Sequence, residues 1–131
     1  MKKFLFLTAI LIVLFTSCKK TEYEPLGPTD IRIRNLSDVT MVDVTVNTSG
    51  GEFNYGAIDA GATSDYYRFE KAYPKANISA IINGEQYRTD TAIYTWMQYL
   101  GQMKATYEIY IKSEALRQLE IFNVVPESGL K

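Results

Sequence analysis

The chain has 131 residues, 47% of them hydrophobic and 22% charged, which suits one globular domain and leaves little room for a second. A formal net charge of -1 gives no electrostatic reason to expect nucleic acid or an acidic surface as a partner, and a single cysteine excludes an intramolecular disulfide framework. There is no histidine, which removes the usual general base near neutral pH, the serine and cysteine nucleophiles that depend on one, and most zinc sites. No cofactor and no metal site is expected.

In chain order, residues 1–17 have the grammar of an export signal. Lys2 and Lys3 form a basic start, and Phe4 to Phe15 form an apolar run. That run is short of the about 20 residues needed to span a bilayer. It closes on Phe15-Thr16-Ser17-Cys18, which resembles the lipobox of bacterial lipoproteins, where small residues precede a cysteine that is acylated as the leader is removed. The resemblance implies that Cys18 is lipidated and becomes the first residue of the mature chain. Each buried methylene of an acyl chain contributes about 0.8 kcal/mol, and two or three chains together make a stable anchor. Lys19, standing where some lipoproteins carry aspartate, resembles the sorting pattern of outer-membrane lipoproteins of gram-negative bacteria. The implied location is the outer membrane, on its periplasmic face or at the cell surface. Residues 18–29 carry two prolines, a glycine and mixed charge without periodicity, so they read as a flexible tether.

The domain is expected over residues 30–131. "DIRIRN" places Ile31 and Ile33 on one face and Arg32 and Arg34 on the other, and "MVDVTV" does the same for Val42, Val44 and Val46 against Asp43 and Thr45. "GEFNYGAI" and "TSDYYRFE" continue the aromatic, strand-prone pattern across a turn at Gly61, and Tyr66 and Tyr67 must point to opposite faces. Asn83-Gly84 predicts a two-residue hairpin in which Ile82 faces Glu85 and Ala80 faces Tyr87. "ATYEIYIK", with Tyr107, Ile109 and Ile111 inward, and "RQLEIFNVV" complete the strands. Between them "SEALRQLE" predicts a connecting loop or a single helical turn, because it is short and lies between two strong strands. "TAIYTWMQYLGQMK" carries Ile93, Trp96, Leu100 and Met103 at helical spacing, yet its β-branched and aromatic content predicts an irregular or extended segment ending in a loop at Gly101.

Short strands punctuated by turns predict an all-β fold: an antiparallel Greek-key β-sandwich, immunoglobulin-like or transthyretin-like, of about seven strands, with a small barrel as the alternative. "IRIRNLSD", "VDVTVN", "YGAI" and "GATSDYY" together resemble small secreted β-domains of unknown function in bacterial envelope proteins. That resemblance supports a sandwich and implies no activity.

Candidate chemistry is sparse. Asp38 with Asp43, or Asp59 with Asp65, are carboxylate pairs of the kind glycoside hydrolysis uses, and Asp30, Asp59 and Asp65 are oxygen donors without a calcium-loop pattern. Ten tyrosines, six phenylalanines and one tryptophan are the more informative excess. Trp96 as a single side chain is expected in the core. As a stretch, "IYTWMQY", with Tyr94, Trp96 and Tyr99, is the best candidate for a ligand or partner surface. Asp90-Thr91-Ala92 is similar to an O-glycosylation acceptor of certain gram-negative envelopes, which marks Thr91, although an ordinary strand threonine is the alternative. The functional expectation is a membrane-anchored, non-catalytic binding or structural module that engages a glycan or an envelope protein. The alternative is a small envelope enzyme using carboxylates on glycans.

Overall fold

The computed structural model describes residues 27–127. The leader, Cys18 and the tether as far as residue 26 lie outside the described residues. Eight strands and no helix are found among the described residues: β1 (Thr29–Asn35), β2 (Val42–Asn47), β3 (Glu52–Asn54), β4 (Tyr67–Phe69), β5 (Asn77–Ile82), β6 (Glu85–Arg88), β7 (Met103–Ser113) and β8 (Gln118–Pro126). They form one sheet in the order β3-β2-β5-β6-β8-β7-β1-β4.

Local pattern explains most of the strands. In β1, Ile31 and Ile33 are fully buried while Arg32 and Arg34 point outward. The β5–β6 hairpin has the register that Asn83-Gly84 demands, Ile82 opposite Glu85 and Ala80 opposite Tyr87, with φ of 53° and 80° at the two turn residues. In β7, Tyr107 and Ile109 are buried as expected. Ile111 is only half-buried, because the pairing with β8 slips between Ile111 and Ser113.

β2 departs from its simple alternation. Val44 and Val46 are buried, but Val42 is 42% exposed. The pairing with β5 slips between Val42 and Thr45, and Asp43 has φ of +50°, so a bulge turns Val42 outward. Met41 takes the buried place and exchanges backbone hydrogen bonds with Ile58.

The sheet has two arms, β3-β2-β5-β6 and β8-β7-β1-β4, joined where β6 meets β8 at the single pair Arg88↔Gln118. The arms curl so that their apolar faces share one core, with Ile31, Ile33 and Tyr107 from one and Val44, Val46 and Ile78 from the other. Each such side chain contributes roughly 1.5–3 kcal/mol by leaving water. The outer edges β3 and β4 nearly close the sheet through side chains. The rings of Phe53 and Tyr67 stack with centroids 3.8 Å apart and planes 10° apart. Beside them the Tyr55 hydroxyl donates to the Ile31 carbonyl at 2.6 Å.

The all-β expectation holds, but a wholly antiparallel sheet of seven strands does not. β1 runs parallel to β7 along its whole length, and β6 meets β8 in parallel. An alternating pattern specifies which face is buried but not which way the neighbour runs, and β1 and β7 are separated by most of the chain, which permits a parallel pairing.

Candidate functional site

The segment between β6 and β7, residues 89–102, is irregular apart from one turn. Its helical spacing produces no helix. Leu100 and Met103 pack on the core, whereas Ile93 and Trp96 are exposed. The loop is fastened at both ends. Thr89 exchanges bonds with Ile78, its hydroxyl accepting from the Ile78 N–H at 3.0 Å and its own N–H donating to the Ile78 carbonyl at 2.9 Å. The Ala92 N–H donates to Asn77 Oδ1 at 2.8 Å. At the other end the Leu100 N–H donates to the Ala72 carbonyl at 2.8 Å, and the Thr29 hydroxyl donates to the Gly101 carbonyl at 2.5 Å.

The base is the segment 71–76. Tyr73 packs between Tyr94 and Tyr99, with centroid distances of 4.5 and 5.1 Å, and Lys71 Nζ lies 5.2 Å from the Tyr99 ring. From within the core, the Tyr107 hydroxyl donates to the Tyr73 carbonyl. Burial pushes the Tyr94 and Tyr107 hydroxyls above the ordinary tyrosine range, so both act as neutral donors.

Tyr94, Trp96 and Tyr99 therefore have different roles. Tyr94 and Tyr99 are half-buried against Tyr73, and Tyr94 donates to the Asn47 carbonyl at 3.3 Å. Trp96 stands alone at the turn closed by the Met97 N–H and the Tyr94 carbonyl, and it is 94% exposed. The expectation of a core tryptophan is corrected: the apex of a turn has no strand opposite, and Tyr107 supplies the large interior ring beneath Tyr73.

A groove of about 560 Å³ opens beside this loop. It exists because β8 parts from β6 after Gln118, leaving the rest of that strand edge without a paired strand among the described residues. Ala76, Ile93 and Met97 line one side, and Ile121, Phe122 and Val124 the other. Phe122 is the extra residue where the β7–β8 register slips. It is 66% exposed, and its ring meets Tyr110 edge-on at 5.9 Å. The alternation of "QLEIFNVV" does not reveal that slip, so sequence reasoning missed Phe122.

Two carboxylates, Asp90 and Glu120, also line the groove. Glu120 accepts a hydrogen bond from the Tyr110 hydroxyl at 2.5 Å and pairs with Lys112 at 3.6 Å, and the Tyr110 bond foremost holds its carboxyl below the ordinary range. A second, polar depression of about 430 Å³ lies on the outer face of β2, β5 and β6, where Asn47, Asn77, Gln86 and Arg88 converge. Thr91 is exposed and lines both hollows.

The carboxylates singled out from sequence lie elsewhere. Asp38, Asp43, Asp59 and Asp65 are all exposed, and Asp43 and Asp59 are bonded to Asn54 and Thr40. Asp30 is bound by both Nε and Nη2 of Arg68, at 2.8 and 3.2 Å, which lowers its pKa. Among the described residues, no group of three acids, cysteines or histidines is placed to hold a metal ion.

No family model and no curated protein matches the chain. Among solved structures it is similar to one described as "NMR structure of the protein from Eubacterium rectale", at 14% identity and a TM-score of 0.49, covering 78% of this chain and 95% of that one. A likeness at that distance brings neither an activity nor a ligand.

Proposed function

We propose that the protein is a lipid-anchored, non-catalytic binding or structural module of the gram-negative cell envelope. It is held at the outer membrane through acyl chains on Cys18 and engages a glycan or an envelope protein through the 89–102 loop and the adjoining groove. The observation that carries this reading is Trp96, 94% exposed on a loop whose other aromatic rings are committed to holding it in place. Exposed tryptophans of this kind are enriched at binding surfaces. The free edge of β8 adds backbone groups to which an extended peptide can bond. The exposure of Thr91 supports its reading as an O-glycan acceptor. Two arms with facing apolar sides support kinship with immunoglobulin-like or transthyretin-like Greek-key sandwiches.

In the groove the hydrogen bond from Tyr110 and the pairing with Lys112 occupy Glu120 and hold it ionised, which supports a structural part for it rather than that of a proton donor. The test has two arms. Cys18→Ser should remove the chain from the membrane fraction, and retention there overturns the anchor. Phe122→Ala, on the exposed wall of the groove, should fold normally and lose bound envelope components in pull-downs from the native host, and equal recovery overturns the surface.

A further inference from the structure

From Thr91 to Gln102 no residue carries a charge. Ile93, 71% exposed, and Trp96 project from this run. The segment beneath it is basic. Lys71 lies over the Tyr99 ring and Lys75 lines the groove beside Ile93, where Asp90 and Glu120 are the facing acids, and Glu70 precedes Lys71. The start of the domain meets the same loop: Thr29 bonds to Gly101, and Gly27 lies against Gln102, whose Cβ is 3.0 Å from the position a side chain at Gly27 would occupy. The stretch from Cys18 to Gly27 spans at most about 30 Å when fully extended.

We propose that the apex of the loop, Ile93 to Met97, seats in the interfacial layer of the bilayer that carries the Cys18 anchor. This rests on the lipid-anchor reading for the position of the bilayer, and it names a lipid surface as the partner of Trp96, leaving Phe122 and the free β8 edge to the envelope ligand. Tryptophan and tyrosine favour the boundary between headgroups and acyl chains, where an apolar ring and a polar N–H or O–H are both satisfied. Ile93 adds apolar contact, and Lys71 and Lys75 complement anionic headgroups. A shallow contact of this size is weak in isolation. Tethering makes it intramolecular and so fixes how the domain stands on the membrane.

Trp96 is the sole tryptophan, so its fluorescence reports on this apex alone. The acylated full chain, reconstituted into phosphatidylethanolamine and phosphatidylglycerol vesicles, should show an emission shift to shorter wavelength. Lipids brominated high on their acyl chains should quench it, and those brominated near the chain ends should not. Ile93→Glu, at an exposed position that leaves the fold intact, should lose most of the quenching while still sedimenting with vesicles. Sedimentation with Trp96 unshifted and unquenched overturns the loop contact and leaves the anchor standing. Equal quenching in a vesicle titration of chain lacking acyl groups shows a contact that does not need the tether and overturns its intramolecular character. A shift that arises only on adding soluble envelope glycan fragments or a protein partner assigns Trp96 to that partner and overturns the proposal.

Discussion

Tyr107 links the core to the candidate site through one bond. Its ring fills the interior of β7, and its hydroxyl holds the Tyr73 carbonyl in the segment on which the 89–102 loop rests. Tyr107→Phe keeps the ring but removes the donor, so it should cost about 1–3 kcal/mol in chemical denaturation. The tyrosine's folded-state pKa is raised by burial. The stability linked to it is therefore complete below about pH 10 and declines as pH climbs towards the folded value, so the Phe variant should show a shallower alkaline loss. Asp30 behaves in the opposite sense. The hydrogen bond from Arg68 depresses its folded-state pKa, so its contribution is present above about pH 4 and fades as pH falls through the folded value. Asp30→Asn should flatten the acid limb of a stability profile, and an unchanged limb would show that the pair carries no such linkage.

Among the elements, the β5–β6 hairpin depends most directly on its own sequence. Asn83 and Gly84 both have positive φ, a conformation in which a Cβ meets the neighbouring backbone. Gly84→Ala should cost about 1–2 kcal/mol without altering the core, measured as a lower denaturation midpoint at constant slope. The register slips in β2 and β8 follow a different logic. They turn Val42 and Phe122 outward against the alternation, and in β8 the slip places Phe122 on the wall of the groove. Because a bulge is set by pairing with the neighbouring strand, period-two reading of either segment alone finds the strand and misassigns the side chain.

The whole sheet has two seams that differ in chemistry. Between β3 and β4 the rings of Phe53 and Tyr67 bridge the gap, with Tyr55 bonded across to Ile31. Between β6 and β8 a single residue pair and the Arg117–Glu85 ion pair hold the arms, and the groove opens beyond them. A double-mutant cycle with Phe53→Leu and Tyr67→Leu should give a coupling of about 0.5–1.5 kcal/mol, and additive effects would show that the stack does not hold the first seam.

Strand existence, the inward set of β1, the hairpin register and the opposed faces of Tyr66 and Tyr67 were readable along the chain, because each depends on neighbours within a few residues. Tyr67, the first residue of β4, packs on the core, while Tyr66, just before the strand, lies between Arg32 and Lys104. Strand order, the parallel pairing of β1 with β7 and the β6–β8 gap depend on residues far apart in sequence, and alternation carries no record of them. The same division runs through the candidate site. Composition marked Tyr94, Trp96 and Tyr99 as one aromatic stretch, but only the packing of Tyr73 between the two tyrosines turned Trp96 out to solvent, since burial is settled by what the rest of the chain places opposite a side chain.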